Sequence, residues 1–151
     1  MASITVTADL ASAPVRLWPL IVDFSRHGQW LVGHDRFTTE PPEEAAVGAT
    51  FVQRGTLKGV SGAVTWTIEK LEADRLLELS GVGPMGIRLA ARFEIIPDGA
   101  GSQVVCRYDV NGPPMIGLLV RAGRGTAHRY TTASVQNLDA MAGGLRLRQI
   151  A

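Results

Sequence analysis

The sequence predicts an α+β fold in which a curved antiparallel β-sheet wraps around one long C-terminal helix. Three observations carry this. Between Val47 and Val110, apolar and polar residues alternate with period two and are punctuated by turn residues, the pattern of consecutive strands. From Met115 to about Ala142 the apolar period lengthens to three or four residues, which is helical. Before the meander, Ser12 to Trp30 carries two short helical stretches behind an alternating first strand at 3–9. The 151 residues suffice for one domain with a full core. The expected boundaries are a domain over 1–142 and a C-terminal tail over 143–151.

Each element has its own signal. Ser12-Ala13-Pro14 reads as an N-cap followed by proline in the first helical turn. Val15, Leu17, Trp18, Ile21 and Val22 form the apolar stripe of that helix, with Pro19 inside it. Phe24 to Trp30 suggests a second short helix, and Pro41-Pro42-Glu43-Glu44 a solvated loop. Strands are expected over 49–57, 63–71, 76–82, 87–96 and 103–110, joined by short hairpins. Val64/Trp66/Ile68, Leu77/Leu79, Leu89/Ala91/Phe93/Ile95 and Val104/Cys106/Tyr108/Val110 are the expected inward sets. On the long helix, Leu119, Gly123, Thr126, Tyr130, Ala133, Asn137 and Met141 recur as one face. Gly143-Gly144 is expected to end it.

Composition excludes several functions. The chain is 46% hydrophobic and 19% charged with a formal net charge of +1, so no bulk field favours nucleic acid. One cysteine, Cys106, excludes an internal disulfide framework and a cysteine zinc knuckle. Met1 runs directly into the Ile4–Thr7 strand pattern, without the basic and apolar regions of a secretion signal. No apolar run approaches the ~18 residues of a membrane span. A reduced cytoplasmic setting is the expectation.

Motifs that carry chemistry elsewhere have simpler readings here. Gly81-Val82-Gly83-Pro84-Met85-Gly86 spells G-x-G-x-x-G after a strand, but a dinucleotide site needs a helix to follow. Arg88–Ile95 alternates as a strand, so the motif is a hairpin turn, with Gly83 expected at positive φ. His27, His34 and His128 lack metal spacing, and His27 and His34 are expected to be exposed loop histidines flanking Trp30. Cys106 reads as a small buried apolar group. Glu78, Glu94 and Asp109 alternate opposite to the apolar sets and should face solvent. So should Arg88, Arg92 and Arg107. Without an inward pair of carboxylates no acid–base couple is apparent. No cofactor and no metal are expected.

Strand, helix pair, meander and long helix is the element order of the helix-grip, or START-like, fold. Ala13-Pro14-Val15-Arg16-Leu17-Trp18, Val22-Asp23-Phe24, Gln29-Trp30 and Val47-Gly48 resemble the polyketide cyclase/dehydrase and lipid-transport superfamily (SRPBCC). Lys58-Gly59, Trp66-Thr67-Ile68, Gly81–Gly86 and Gly112-Pro113-Pro114-Met115-Ile116-Gly117 are similar to an actinobacterial branch. That branch includes mycobacterial toxins of type II toxin–antitoxin pairs. The superfamily's motifs are mostly structural and transfer no catalytic set.

A sheet gripping a helix encloses a pocket, and the resemblance implies a hydrophobic ligand there, lipid-like or polyketide-like. Trp30, Trp66, Leu79, Phe93, Tyr108, Met115 and Leu119 are the expected apolar lining, with Thr126, Tyr130 and Asn137 as polar handles. Phe51 and Arg54 sit on opposite faces of their strand; both are candidates because the sequence does not decide which face is inward. The alternatives are a cyclase/aromatase-like enzyme using Arg54, Tyr108 and Tyr130, or a toxin with an antitoxin partner.

Overall fold

The computed structural model describes residues 2–57 and 60–144; Lys58-Gly59 and the tail from Leu145 lie outside them. Among the described residues there are seven strands: β1 (Ala2–Leu10), β2 (His34–Phe37), β3 (Thr50–Leu57), β4 (Val60–Glu72), β5 (Leu76–Val82), β6 (Arg88–Asp98) and β7 (Gly101–Asn111). Helices α1 (Pro14–Val22) and α2 (His27–Trp30) follow β1, with a single 3-10 turn at Phe24–Arg26 between them. Helix α3 (Pro114–Asp139) follows β7 and ends in a π turn at Ala140–Gly144.

All strands belong to one antiparallel sheet in the order β1-β7-β6-β5-β4-β3-β2. From β2 to β7 it is a meander, and from β3 onward each connection is too short to do anything but turn back. The N-terminal strand closes the far edge beside β7, in register from Ala2↔Val110 to Leu10↔Ser102. The strand β2 has no counterpart in the sequence reading. His-Asp-Arg-Phe shows no apolar alternation and is held as a strand only by pairing with β3.

Directly paired residues share a face, so the register fixes which side chains point inward. One row across the sheet is Phe51, Trp66, Gly81, Leu89 and Val110. The next is Ile68, Leu79, Ala91, Tyr108 and Ile4. Leu77, Phe93, Cys106 and Val6 follow. Leu17, Ile21 and Phe24 from the helix pair and Val135 and Leu138 from α3 pack on these rows to form the buried core. Each such side chain contributes about 1.5–3 kcal/mol on burial.

Two local expectations are corrected. Ser12 does not cap α1, since Ala13 occupies the cap position and makes no side-chain hydrogen bond. Ser12 is instead buried and clamped: its N–H donates to Asp139 Oδ1 at 3.0 Å and its carbonyl accepts from Ser102 Oγ at 2.7 Å. The end of α3 is thereby tied to the start of α1. On α3 itself the buried residues are Ile116, Gly123, Thr131, Ser134, Val135 and Leu138. The packed face is rotated from the expected one, leaving Leu119, Thr126, Tyr130 and Ala133 on its flank.

Candidate functional site

The aromatic residues of α1–α2 and β2–β3 close one end of the concave face. Phe24 lies 4.6 Å from Phe51 and 4.7 Å from His27, ring centre to ring centre. His27 in turn stacks edge-on to Trp30 at 5.1 Å. His27 is therefore a core residue, not the exposed loop histidine expected. Its Nε2–H donates to the Ile21 carbonyl at 2.9 Å, while Nδ1 has no partner. Burial lowers its pKa to about 4, so the ring is neutral at pH 7.

From this closed end an aromatic ladder leads across the sheet. Trp30 meets Phe93 edge-on at 6.4 Å, and Phe93 meets Tyr108 edge-on at 6.0 Å. Tyr108 stands in its row beside Ala91, whose methyl leaves space next to the ring. Part of the tyrosine remains accessible, yet loss of solvation pushes its phenol pKa far upward. Its hydroxyl has no hydrogen-bond partner among the described residues.

Trp66 forms the neighbouring wall, and two features fix it. A Cβ on Gly81 would come within 2.8 Å of the Trp66 ring and of Val64, so only glycine lets the indole lie over β5. The indole Nε1–H then donates to Gln53 Oε1 at 3.0 Å. Because indole nitrogen can only donate, this bond orients the amide, and Gln53 Nε2 faces His34 Nδ1 at 2.7 Å. His34 Nδ1 must accept, which makes the ring neutral with its proton on Nε2. Partial burial lowers the His34 pKa in the same sense. His34, Gln53 and Trp66 thus form one polar chain, which sequence reasoning missed. The signal was that Gln53 shares the face of Phe51.

The remaining candidates divide clearly. Phe51 and Leu79 are buried inward with Trp30, Trp66 and Phe93. Arg54 is one residue out of phase with Phe51 and Gln53, and pairs with Ala63 and Arg36 on the convex face. It is removed from the candidate site. Tyr130 and Thr126 sit half-buried on the flank of α3, where Tyr130 Cδ2 lies 3.2 Å from the position a Cβ on Gly33 would take. Asn137 Nδ2 is 3.3 Å from the Trp30 carbonyl, which it reaches as a donor. Met115 and Leu119 are 72% and 55% exposed, so they lie at the open end and not on an enclosed lining.

Cys106 is buried beneath Tyr108, and desolvation pushes its thiol up to about 12, which leaves it unreactive. Glu78 and Glu94 lie outward, paired with Arg92. Asp109 lies outward with Arg107 and Ser3. A depression of about 350 Å³ is lined by Glu69, Glu78, Arg92, Arg107 and Asp109 together with residues of β5 and β6. Another, of about 490 Å³, opens at the start of α3 between the ends of β1 and β7, where Val110 is at its floor.

A curled sheet, a clasped helix and an apolar concave face with sparse polar groups define a helix-grip fold. The chain belongs to the polyketide cyclase/dehydrase and lipid transport family, whose model matches residues 1–143. Among its relatives is the uncharacterized protein Rv1546 of Mycobacterium tuberculosis, 27% identical over 119 residues, covering 79% of this chain and 83% of that one. Toxin Rv0910 of the same organism is 25% identical over 117 residues, covering 78% and 81%. The fold is shared with the Zhui aromatase/cyclase of a Streptomyces species at a TM-score of 0.72 and 13% identity, covering 93% of each chain. It is shared with protein CV1439 of Chromobacterium violaceum at a TM-score of 0.72 and 14% identity, covering 94% and 98%. Among the described residues no helix is long and apolar enough to cross a membrane.

Proposed function

We propose that this chain binds a small hydrophobic, oxygen-bearing molecule, polyketide-like or lipid-like, between the concave face and the flank of α3. The observation that carries this is Tyr108. Its hydroxyl has no partner among the described residues and is free to bond a ligand oxygen, a bond worth about 0.5–1.5 kcal/mol net. Around it Trp66, Leu89, Ala91 and Phe93 supply apolar surface worth about 25 cal/mol per Å² covered. Gly81 and Gln53 hold the indole in place, so the wall is formed before a ligand arrives.

The Zhui neighbour is an aromatase/cyclase, but no carboxylate pair faces this concave surface among the described residues, since Glu78, Glu94 and Asp109 lie outward. Tyr108 and Cys106 are held protonated, and His34 is neutral and tied to Gln53. Binding is therefore favoured over turnover. The toxin-named relatives bring an antitoxin partner as the competing reading.

Native mass spectrometry of protein purified without detergent tests all three. A retained hydrophobic compound, recovered intact after incubation, supports binding. Its conversion to a second species would establish an enzyme. A bare protein that also ignores hydrophobic fluorescent probes would overturn the proposal, and a co-purified polypeptide would turn attention to the partner.

A further inference from the structure

Of the eight large apolar side chains exposed among the described residues, five gather at one end: Val82, Met85, Met115, Leu118 and Leu119. The β5–β6 turn and the start of α3 adjoin there. A Cβ on Gly112 would lie 3.2 Å from Ile116 and 3.4 Å from Ile87. Met85 is held at φ 57°, a left-handed conformation strained for a residue with a side chain, and is 78% exposed.

The first half of α3 has three distinct arcs at 3.6 residues per turn. Ile116 and Gly123 are buried against the sheet. Met115, Leu118 and Leu119 occupy an exposed apolar arc. Arg121, Arg124 and His128 occupy the third and are exposed. Between Gly112 and Leu138 the sequence has no carboxylate. Neither Arg121 nor Arg124 forms an ion pair among the described residues, and both line the depression of about 490 Å³, with Arg121 next to Leu118 around the helix.

We propose that this end docks on a bilayer carrying anionic lipid. Met85, Met115, Leu118 and Leu119 would enter the headgroup–acyl boundary, and Arg121 and Arg124 would meet phosphates. An exposed apolar arc with arginines along its solvent-side edge is what an interfacial helix requires. A second copy fits less well, because burying this end would desolvate Arg121 and Arg124 on both chains, and no carboxylate between Gly112 and Leu138 is there to pair with them. The proposal does not depend on what the concave face binds.

The test is co-flotation of the full chain with vesicles of phosphatidylcholine alone, or of equal phosphatidylcholine and phosphatidylglycerol, at low and high salt. Binding to the anionic vesicles should exceed that to neutral ones by about tenfold or more and fall with salt. Leu118→Glu with Leu119→Glu should weaken it by about tenfold or more, and so should Arg121→Glu with Arg124→Glu, all at unchanged melting temperature. No preference for anionic vesicles would overturn the proposal. So would wild-type binding retained by both double variants. A concentration-dependent dimer dissolved by the leucine variant would assign the face to a second copy instead, and a tightly held polypeptide would assign it to a protein partner.

Discussion

Tyr108→Phe separates a binding hydroxyl from a structural one, because the two roles predict opposite signs. The hydroxyl has no protein partner among the described residues, and its desolvation raises the phenol pKa strongly. The oxygen keeps some contact with water, so it is only partly desolvated, and deleting it should leave stability unchanged or raise it by less than about 1 kcal/mol. For a domain of this length that is at most about 2–4 °C in melting temperature. The ring stays, so contacts with Phe93 and Ala91 are unchanged. Binding should move the other way. Naphthol can accept or donate at the hydroxyl, and the loss of one such bond costs about 0.5–1.5 kcal/mol, roughly two- to tenfold in affinity. Naphthalene has no oxygen and should bind both proteins equally. Urea melts and fluorescence titrations with the two probes read the result. A variant destabilised by about 1 kcal/mol or more would show that the hydroxyl is structural, and unchanged affinity for both probes would remove Tyr108 from the site.

Gly81→Val should displace Trp66, since the new Cβ lies 2.8 Å from the indole and from Val64; overpacking of this kind costs about 1–3 kcal/mol. A shift of tryptophan emission should accompany it, and unaltered stability and spectrum would contradict the seating of Trp66. His27 makes stability depend on pH. Its folded pKa of about 4 lies below the ordinary 6.5, so the unfolded chain binds the extra proton. The stabilisation is full above pH 6.5 and is lost as pH falls toward 4, by about 3 kcal/mol in all. His27→Gln should flatten that part of the pH–stability curve; an unchanged slope would place the titration elsewhere. Gly117→Ala with Gly125→Ala should stabilise α3 by about 1–2 kcal/mol. A Cβ at 117 meets nothing within 4 Å, and one at 125 meets only Arg129 Nη1 at 3.7 Å. Thermal melts that show no gain would mean these glycines relieve a contact outside the described residues.

The fold was legible because its strands alternate and its turns are marked. Trp66, Phe93 and Tyr108 could be placed on one face from period two alone, and the register confirms the shared face. What escaped reading depends on contacts between distant segments. The strand β2 exists through β3, and nothing in His-Asp-Arg-Phe announces it. His27 looked like a loop histidine because its burial comes from Phe24, Phe37 and Trp30 packing around it. Ser12 has the residue type of a cap, but Asp139, 127 positions away, decides its role. The face of β3 was ambiguous because Phe51 and Val52 are both apolar; the alternation resolves to Phe51 and Gln53 inward, and Arg54 follows outward. In the Gly81–Gly86 turn, positive φ falls at Met85 and Gly86, while Gly83 is extended at φ −104°. Composition names the turn but not which residue bends it.

The two walls of the proposed site are built to different standards, and that difference bears on how a ligand would enter. On the sheet side Trp66 is fixed from below by Gly81 and from the side by Gln53, and Phe93 is held between Trp30 and Tyr108. The second half of α3 is equally fixed: Ser134 Oγ accepts from Val32 N–H at 2.8 Å, and Asp139 accepts from Ala11 and Ser12. Its first half has much less to hold it. Glycines stand at 117, 123 and 125, each costing about 1 kcal/mol of helix propensity against alanine. Of these only Gly123 is buried, while Met115, Leu118 and Leu119 point to solvent. Low intrinsic helicity combined with few buried contacts places this segment among the least stable parts of the fold. The same segment borders the open end. The start of α3 is therefore the part of the fold expected to open first, with the sheet remaining as it is.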